Sequence, residues 1–146
     1  MLFRSTRKAG NVLEIKTLLE TKNLLDNGAP YFRDCRMGVS IDWINKDKDS
    51  TRTRNEVDVV AMRGVTPLFI SCKNGDIDEE EVYKLHAVAE RFGGPEVKML
   101  LVATDYDEKL HRHPVRRMRD MGISLISNAE EMTRAEWREA LRKAME

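Results

Sequence analysis

Nothing in this 146-residue chain approaches the roughly 18 consecutive apolar residues of a membrane helix, so no span is expected. The basic stretch Met1–Gly10 is followed by no apolar run, which excludes the pattern of a secretory signal. Cysteine is nearly missing. Cys35 and Cys72 make neither a disulfide framework nor a zinc site, and a reducing cytoplasm is the expected setting. No internal repeat, low-complexity stretch or linker is present, so a single domain over residues 1–146 is expected. An excess of one charge is also missing: the formal net charge is +0. That balance neither favours nor excludes a nucleic-acid partner, because binding needs local positive charge rather than a basic whole. Aromatics are few. Phe3, Tyr31, Phe32, Trp43 and Trp137 form no base-stacking platform and are expected in the core or at an interface.

What the chain does have is periodicity. Val12, Ile15 and Leu19, widened by Leu18 and Leu25, predict a helix over 11–25 that Asn27-Gly28 ends. Met37, Val39, Ile41 and Trp43 alternate with polar residues and predict a strand. A polar loop over 45–55 separates it from a second strand over 56–62, and a short turn at Gly64-Val65 leads to a third over 68–73. Asp78-x-x-Glu81 has the form of a capping box and opens a helix that Gly93-Gly94-Pro95 stops. The apolar run 97–103 fits a strand buried on both faces. A helix with Pro114 in its first turn, a short strand over 123–126 and a last helix capped by Thr133-x-x-Glu136 complete the chain. The order α-β-β-β-α-β-α-β-α predicts an α/β fold with a mixed central sheet flanked by helices.

Alternation puts Glu56 and Asp58 on one face of the second strand, and Ser71 and Lys73 on one face of the third. A two-residue type II′ turn would set Asp58 opposite Ser71 and Glu56 opposite Lys73; a register shifted by two would set Asp58 opposite Lys73. Two carboxylates, a hydroxyl and an ammonium in one patch suit phosphodiester hydrolysis. Hard oxygens hold Mg²⁺ or Mn²⁺, and a lysine orients water or stabilises developing charge. The same residues could equally form a solvated face with an ordinary cross-strand ion pair.

The runs Asn55-Glu56-Val57-Asp58-Val59-Val60 and Phe69-Ile70-Ser71-Cys72-Lys73-Asn74-Gly75 resemble motifs II and III of PD-(D/E)xK nucleases. More narrowly, they resemble the C-terminal nuclease domain of type III CRISPR ancillary nucleases that carry a CARF sensor for cyclic oligoadenylate. Gly10-Asn11-Val12-Leu13-Glu14 resembles the first-helix motif, and Tyr83–Leu85, Arg91–Gly94 and Leu100–Thr104 extend the likeness over residues 8–126. The resemblance implies a restriction-endonuclease-like core. It implies Glu14, Asp58 and Lys73 as the catalytic set, and Glu14, Asp58 and the Cys72 backbone carbonyl as metal ligands. Glu56 and Ser71 would be auxiliary. It also implies a Mg²⁺ or Mn²⁺ cofactor, a homodimer, and an oligoadenylate ligand bound by a sensor that these residues do not include.

One position departs from the pattern. Ser71 stands where motif III carries Asp or Glu, and a hydroxyl is a poor ligand for a hard cation. Glu80, Glu81, Glu90, Glu56 and Glu14 are candidates to compensate. The expected activity is metal-dependent endonucleolytic cleavage of single-stranded DNA, RNA or both, with nicking of duplex DNA left open. A repair, junction-resolving or restriction nuclease is one alternative, and a binding domain whose chemistry lapsed at Ser71 is another. Arg112 and Arg116, with Arg117, Arg119 and Lys84, are candidate nucleic-acid contacts; a solvated helix face is the plainer reading. His86 is expected to be structural. His111 and His113 with Asp105 and Asp107 match no zinc spacing and read as a polar loop.

Overall fold

Alternating β-branched residues between Arg33 and Lys73 form three long antiparallel strands, and the buried run near residue 100 forms a strand beside them. The computed structural model describes residues 9–44 and 52–146. Helix α1 (Ala9–Lys22) leads through a small hairpin of β1 (Leu25–Asp26) and β2 (Ala29–Pro30) into β3 (Asp34–Ile44), β4 (Arg52–Arg63) and β5 (Thr66–Lys73). Then come α2 (Glu79–Phe92), β6 (Lys98–Ala103), α3 (Arg112–Asp120), β7 (Ile123–Ile126) and α4 (Arg134–Ala144). The five-stranded sheet has the order β3-β4-β5-β6-β7. Its β3–β4 and β4–β5 pairs are antiparallel; β5–β6 and β6–β7 are parallel. It is the expected mixed sheet flanked by helices.

Two apolar layers sandwich the sheet. Leu68, Ile70, Leu100 and Val102 face a core shared with Leu13 of α1 and with Trp137 and Leu141 of α4. Phe69, Met99 and Leu101 face the other core, with Val82, Leu85 and Val88 of α2 and Met118 of α3. Strand β6 therefore buries alternate residues on both sides, as its apolar run predicts.

Helix α1 departs from expectation in its end and its face. It stops at Lys22 because Asn27 (φ 49°) and Gly28 (φ 81°) form the turn of the β1–β2 hairpin. Asn-Gly with both residues at positive φ is a type I′ hairpin turn, not a helix stop. The stripe Val12, Ile15 and Leu19 is exposed, and the buried face is Leu13, Thr17 and Thr21. Threonine is narrow enough to bring the helix close to β5. Its polarity is met locally: Thr21 Oγ1 donates to the Thr17 carbonyl at 2.7 Å, and Cys72 Sγ lies 3.5 Å from Thr17 Oγ1. The loop expected over 45–55 lies partly outside the described residues, and its second half is strand, since β4 begins at Arg52. Phe3 and the Trp43 side chain also lie outside them. Tyr31, Phe32 and Trp137 are buried, as expected.

Candidate active site

The β4–β5 hairpin turns on Gly64, at φ 62°, followed by Val65, which is not at positive φ; this fits a type II′ turn. Arg63 pairs with Thr66, and the ladder continues to Val59–Ile70, where it ends. The next residue on β4 is Asp58. Strand β3 releases it too: Met37 pairs with Val59 and Val39 with Val57, but no pair joins Gly38 to Asp58. Gly38 sits at φ 63°, outside ordinary strand geometry. Val57 packs into the α2-side core and Val59 into the α1-side core, so the two-residue alternation breaks beside Asp58.

Where the strands part, the Asp58 carboxylate fills the gap. The Cys72 N–H donates to Asp58 Oδ2 at 2.7 Å, and the Ser71 hydroxyl also donates to Asp58. The expected Asp58–Ser71 contact is thus a side-chain bond past the end of the ladder. The ladder stops before Glu56 could face Lys73. Lys73 Nζ instead meets Glu81 Oε1 of α2 at 2.5 Å. That ion pair also alters the expected capping box. Asp78 accepts from the Glu81 N–H at 2.9 Å, but the Glu81 carboxylate is turned to Lys73 instead of back to the cap. The Thr133–Glu136 box, with no such competitor, closes fully.

Carboxylates crowd here. Burial pushes Glu14 up to about 6, and Asp58 and then Glu56 add to the effect. Asp58 is also raised, first by burial and then by Glu56 and Glu81, against the lowering effect of the Cys72 and Ser71 donors. Lys73 is raised by its bond to Glu81, so it stays an ammonium. Glu14 from α1, Glu56 and Asp58 from β4, Ser71 and Lys73 from β5 and Glu81 from α2 are therefore neighbours. The sequence offers Glu81 both as a cap, because D-x-x-E ahead of an apolar run has that form, and as one of several carboxylates that could compensate for Ser71; the structure brings it to Lys73.

The donor set fits a divalent cation. Hard oxygens predominate, the patch holds four carboxylates and one ammonium, that of Lys73 paired with Glu81, and Glu81 Oε2 is buried without a hydrogen-bond partner. Among the described residues no three His, Cys, Asp or Glu side chains already surround a common ion position. Asp58 and the Cys72 carbonyl, with a carboxylate drawn in, would hold the ion. The Cys72 thiol is pushed up to about 12, chiefly by burial, and is neutral.

Away from this patch, Lys84 is exposed on α2. Arg112, Arg116 and Arg119 recur along α3 and, with Lys109, line a groove of about 420 Å³. Arg117 does not join them: it pairs with Glu79 at 2.9 Å and bonds the Tyr83 hydroxyl at 3.0 Å. His86 pairs with Glu90 at 3.6 Å, and His111 stacks on Tyr106 with ring centres 4.6 Å apart.

The family model described as Card1-like, endonuclease domain, matches residues 5–144. No curated protein matches the chain in sequence. Among solved structures, protein VC1899 from Vibrio cholerae aligns at TM-score 0.69 and 21% identity, over 91% of this chain and 32% of that one. Can2 from Sulfobacillus thermosulfidooxidans, solved in complex with cyclic tetra-adenylate, aligns at TM-score 0.69 and 18% identity, over 94% of this chain and 34% of that one. Protein AF1548, described as of unknown function, aligns at TM-score 0.50 and 15% identity, over 91% and 79%. At such identities these likenesses speak to fold. The chain spans about a third of the length of VC1899 and of Can2.

Proposed function

Because the chain belongs to the Card1-like endonuclease domain family, we propose that it hydrolyses nucleic-acid phosphodiesters at the patch around Asp58, with Mg²⁺ or Mn²⁺. The observation that carries this reading is the Asp58 carboxylate held at the parting of β4 and β5, with a lysine ammonium on the adjoining strand. When bound, the cation would neutralise the scissile phosphate and acidify water.

In this reading, the bonds from Cys72 N–H and Ser71 fix the orientation of Asp58 before any ligand arrives. Glu14, raised to about 6, holds a cation ligand position or accepts a proton from water near neutral pH. Lys73 meets charge developing on the phosphoryl oxygens. Glu56 is exposed at the rim and keeps an auxiliary role. Lys84 and Arg112, Arg116 and Arg119 of α3 would track the backbone of the strand.

We extend the proposal to the larger protein. Can2 is known in complex with cyclic tetra-adenylate, and this chain covers a third of it. The domain would then be the effector part of a dimeric CRISPR-associated nuclease, in the cytoplasm, switched on by cyclic oligoadenylate bound outside these residues. The test is cleavage of fluorescent single-stranded DNA and RNA with Mn²⁺, Mg²⁺ or EDTA, with Asp58→Ala alongside. Expected are cleavage that requires metal and a loss of roughly a thousandfold or more in the variant, at unchanged circular dichroism. Full activity in the variant would overturn the assignment.

Ser71 favours one other reading, a domain that binds nucleic acid without cutting it. That reading expects binding unaffected by EDTA and no cleavage with either metal. Metal-dependent turnover lost with Asp58 excludes it.

A further inference from the structure

We propose that the cavity between helix α1 and the carboxyl ends of strands β5 and β6 receives one unstacked nucleobase of the strand whose phosphate lies at the Asp58 patch. The proposal rests on the nuclease reading above and adds to it a contact to the base, where the residues named so far meet phosphate and cation. The cavity has a volume of about 250 Å³. That is below the roughly 300–1,000 Å³ that encloses a drug-sized ligand and several times the ~30 Å³ of a water, which suits one flat ring system. It adjoins the patch through two elements at once. Leu13 in its wall precedes Glu14 on α1, and Asn74 in its wall follows Lys73 at the end of β5.

The walls decide which part of a nucleotide enters. Val12, Leu13 and Ala129 make the lining mainly apolar, which favours the face of a base over a phosphate. Lys16, the cation of the wall, gives a donor to the Ala129 carbonyl at 3.0 Å, and the exposed Glu130 carboxylate repels an anion. An amide supplies the contact to the edge of the base. The buried Thr104 hydroxyl donates to Asn74 Oδ1 at 2.9 Å and accepts from the Gly75 N–H at 3.3 Å. Asn74 is thus held by its oxygen, and its N–H₂ end is the part that can meet an acceptor on the base. Further bonds brace the frame. The Ala129 N–H donates to the Ala103 carbonyl at 3.0 Å, and the Thr104 N–H to the Lys73 carbonyl at 3.3 Å. Helix α1, the 129–130 loop and both strand ends are therefore tied around the cavity before any ligand enters.

The test is binding of a short single-stranded DNA to the full chain carrying Asp58→Asn, in EDTA, so that the strand is held and not cut. One 2-aminopurine is moved along the strand in a set of probes. This base brightens when it leaves the stack, and the cavity lining holds no aromatic ring to quench it. At least one probe should brighten on binding. Val12→Trp fills the mouth of the cavity from an exposed helix position; it should abolish the brightening and weaken binding roughly tenfold. Asn74→Ala should weaken the same probe roughly threefold. Leu19→Trp, on the same helix and outside the lining, should change neither readout. Probes that all stay dark, or a strand that does not bind, overturn the proposal. Brightening that survives Val12→Trp, or unchanged affinity in Asn74→Ala, also overturns it. Cleavage by the parent chain in Mn²⁺ is read separately. If the parent cuts while every probe stays dark, only the base pocket fails. If it does not cut while a probe brightens and Val12→Trp abolishes the signal, the nuclease reading fails and the pocket stands.

Discussion

Asp58 and Glu14 are held where their charged forms are least welcome, and this has a sign that can be measured. The folded pKa of Glu14, about 6, lies above its ordinary 4.5, so the folded state binds its proton more tightly than the unfolded state. Stability from this group is present below about 4.5 and is lost as pH rises to 6. Glu14→Gln should therefore raise the melting temperature above pH 6 in EDTA. The gain is about 1 kcal/mol after discounting for partial exposure, or roughly 2–4 °C. The gap between variant and parent should close toward pH 4.5; a constant gap would refute the mechanism. Cysteine chemistry gives a second residue-scale expectation. Cys35 is pushed up to about 11 and Cys72 to about 12, each mainly by burial, so neither is a thiolate at neutral pH. Intact mass after iodoacetamide at pH 8 should show no adduct on the folded chain.

Strand β3 bends at Gly38 so that β4 can present Asp58. At φ 63° an L side chain is strained, and a Cβ there would stand 3.6 Å from Glu56 Oε1. Gly38→Ala should cost about 1–2 kcal/mol in urea unfolding, nearly all of it from the backbone. Thr133→Ala opens the capping box of α4 and should cost about 1 kcal/mol. The strands were legible because apolar residues alternate along them, although past the break at Gly38 only Val39 and Ile41 of the β3 stripe are partly buried and Met37 is exposed; Gly64-Val65 carried the register through the turn. The α1 face was not legible. Counting apolar residues selected Val12, Ile15 and Leu19, whereas the fold buries Thr17 and Thr21 for their slim shape. Asn27-Gly28 suits both a helix stop and a hairpin turn, and local sequence does not decide between them. Glu81 was legible as a cap, and its turn toward Lys73 depends on the approach of β5.

The sheet brings its parallel strand ends to one edge. Lys73 pairs with Ala103 there, and the chain runs on from β6 toward α3 and its arginines. On the proposed function, α3 is the candidate to hold the backbone of the substrate. Replacing Arg112, Arg116 and Arg119 by Gln should weaken binding evenly across sequences and flatten the salt dependence by about one in log–log slope per lost phosphate contact. An unchanged slope would make α3 a solvated face. The exposed row Val12, Ile15 and Leu19 has a different consequence, which belongs to colloid behaviour. Near pH 6.8 the chain carries almost no net charge, so little long-range repulsion keeps apolar patches on different molecules apart. Light scattering in concentrated solution should peak near that pH, and a single lysine in place of Leu19 should flatten the peak.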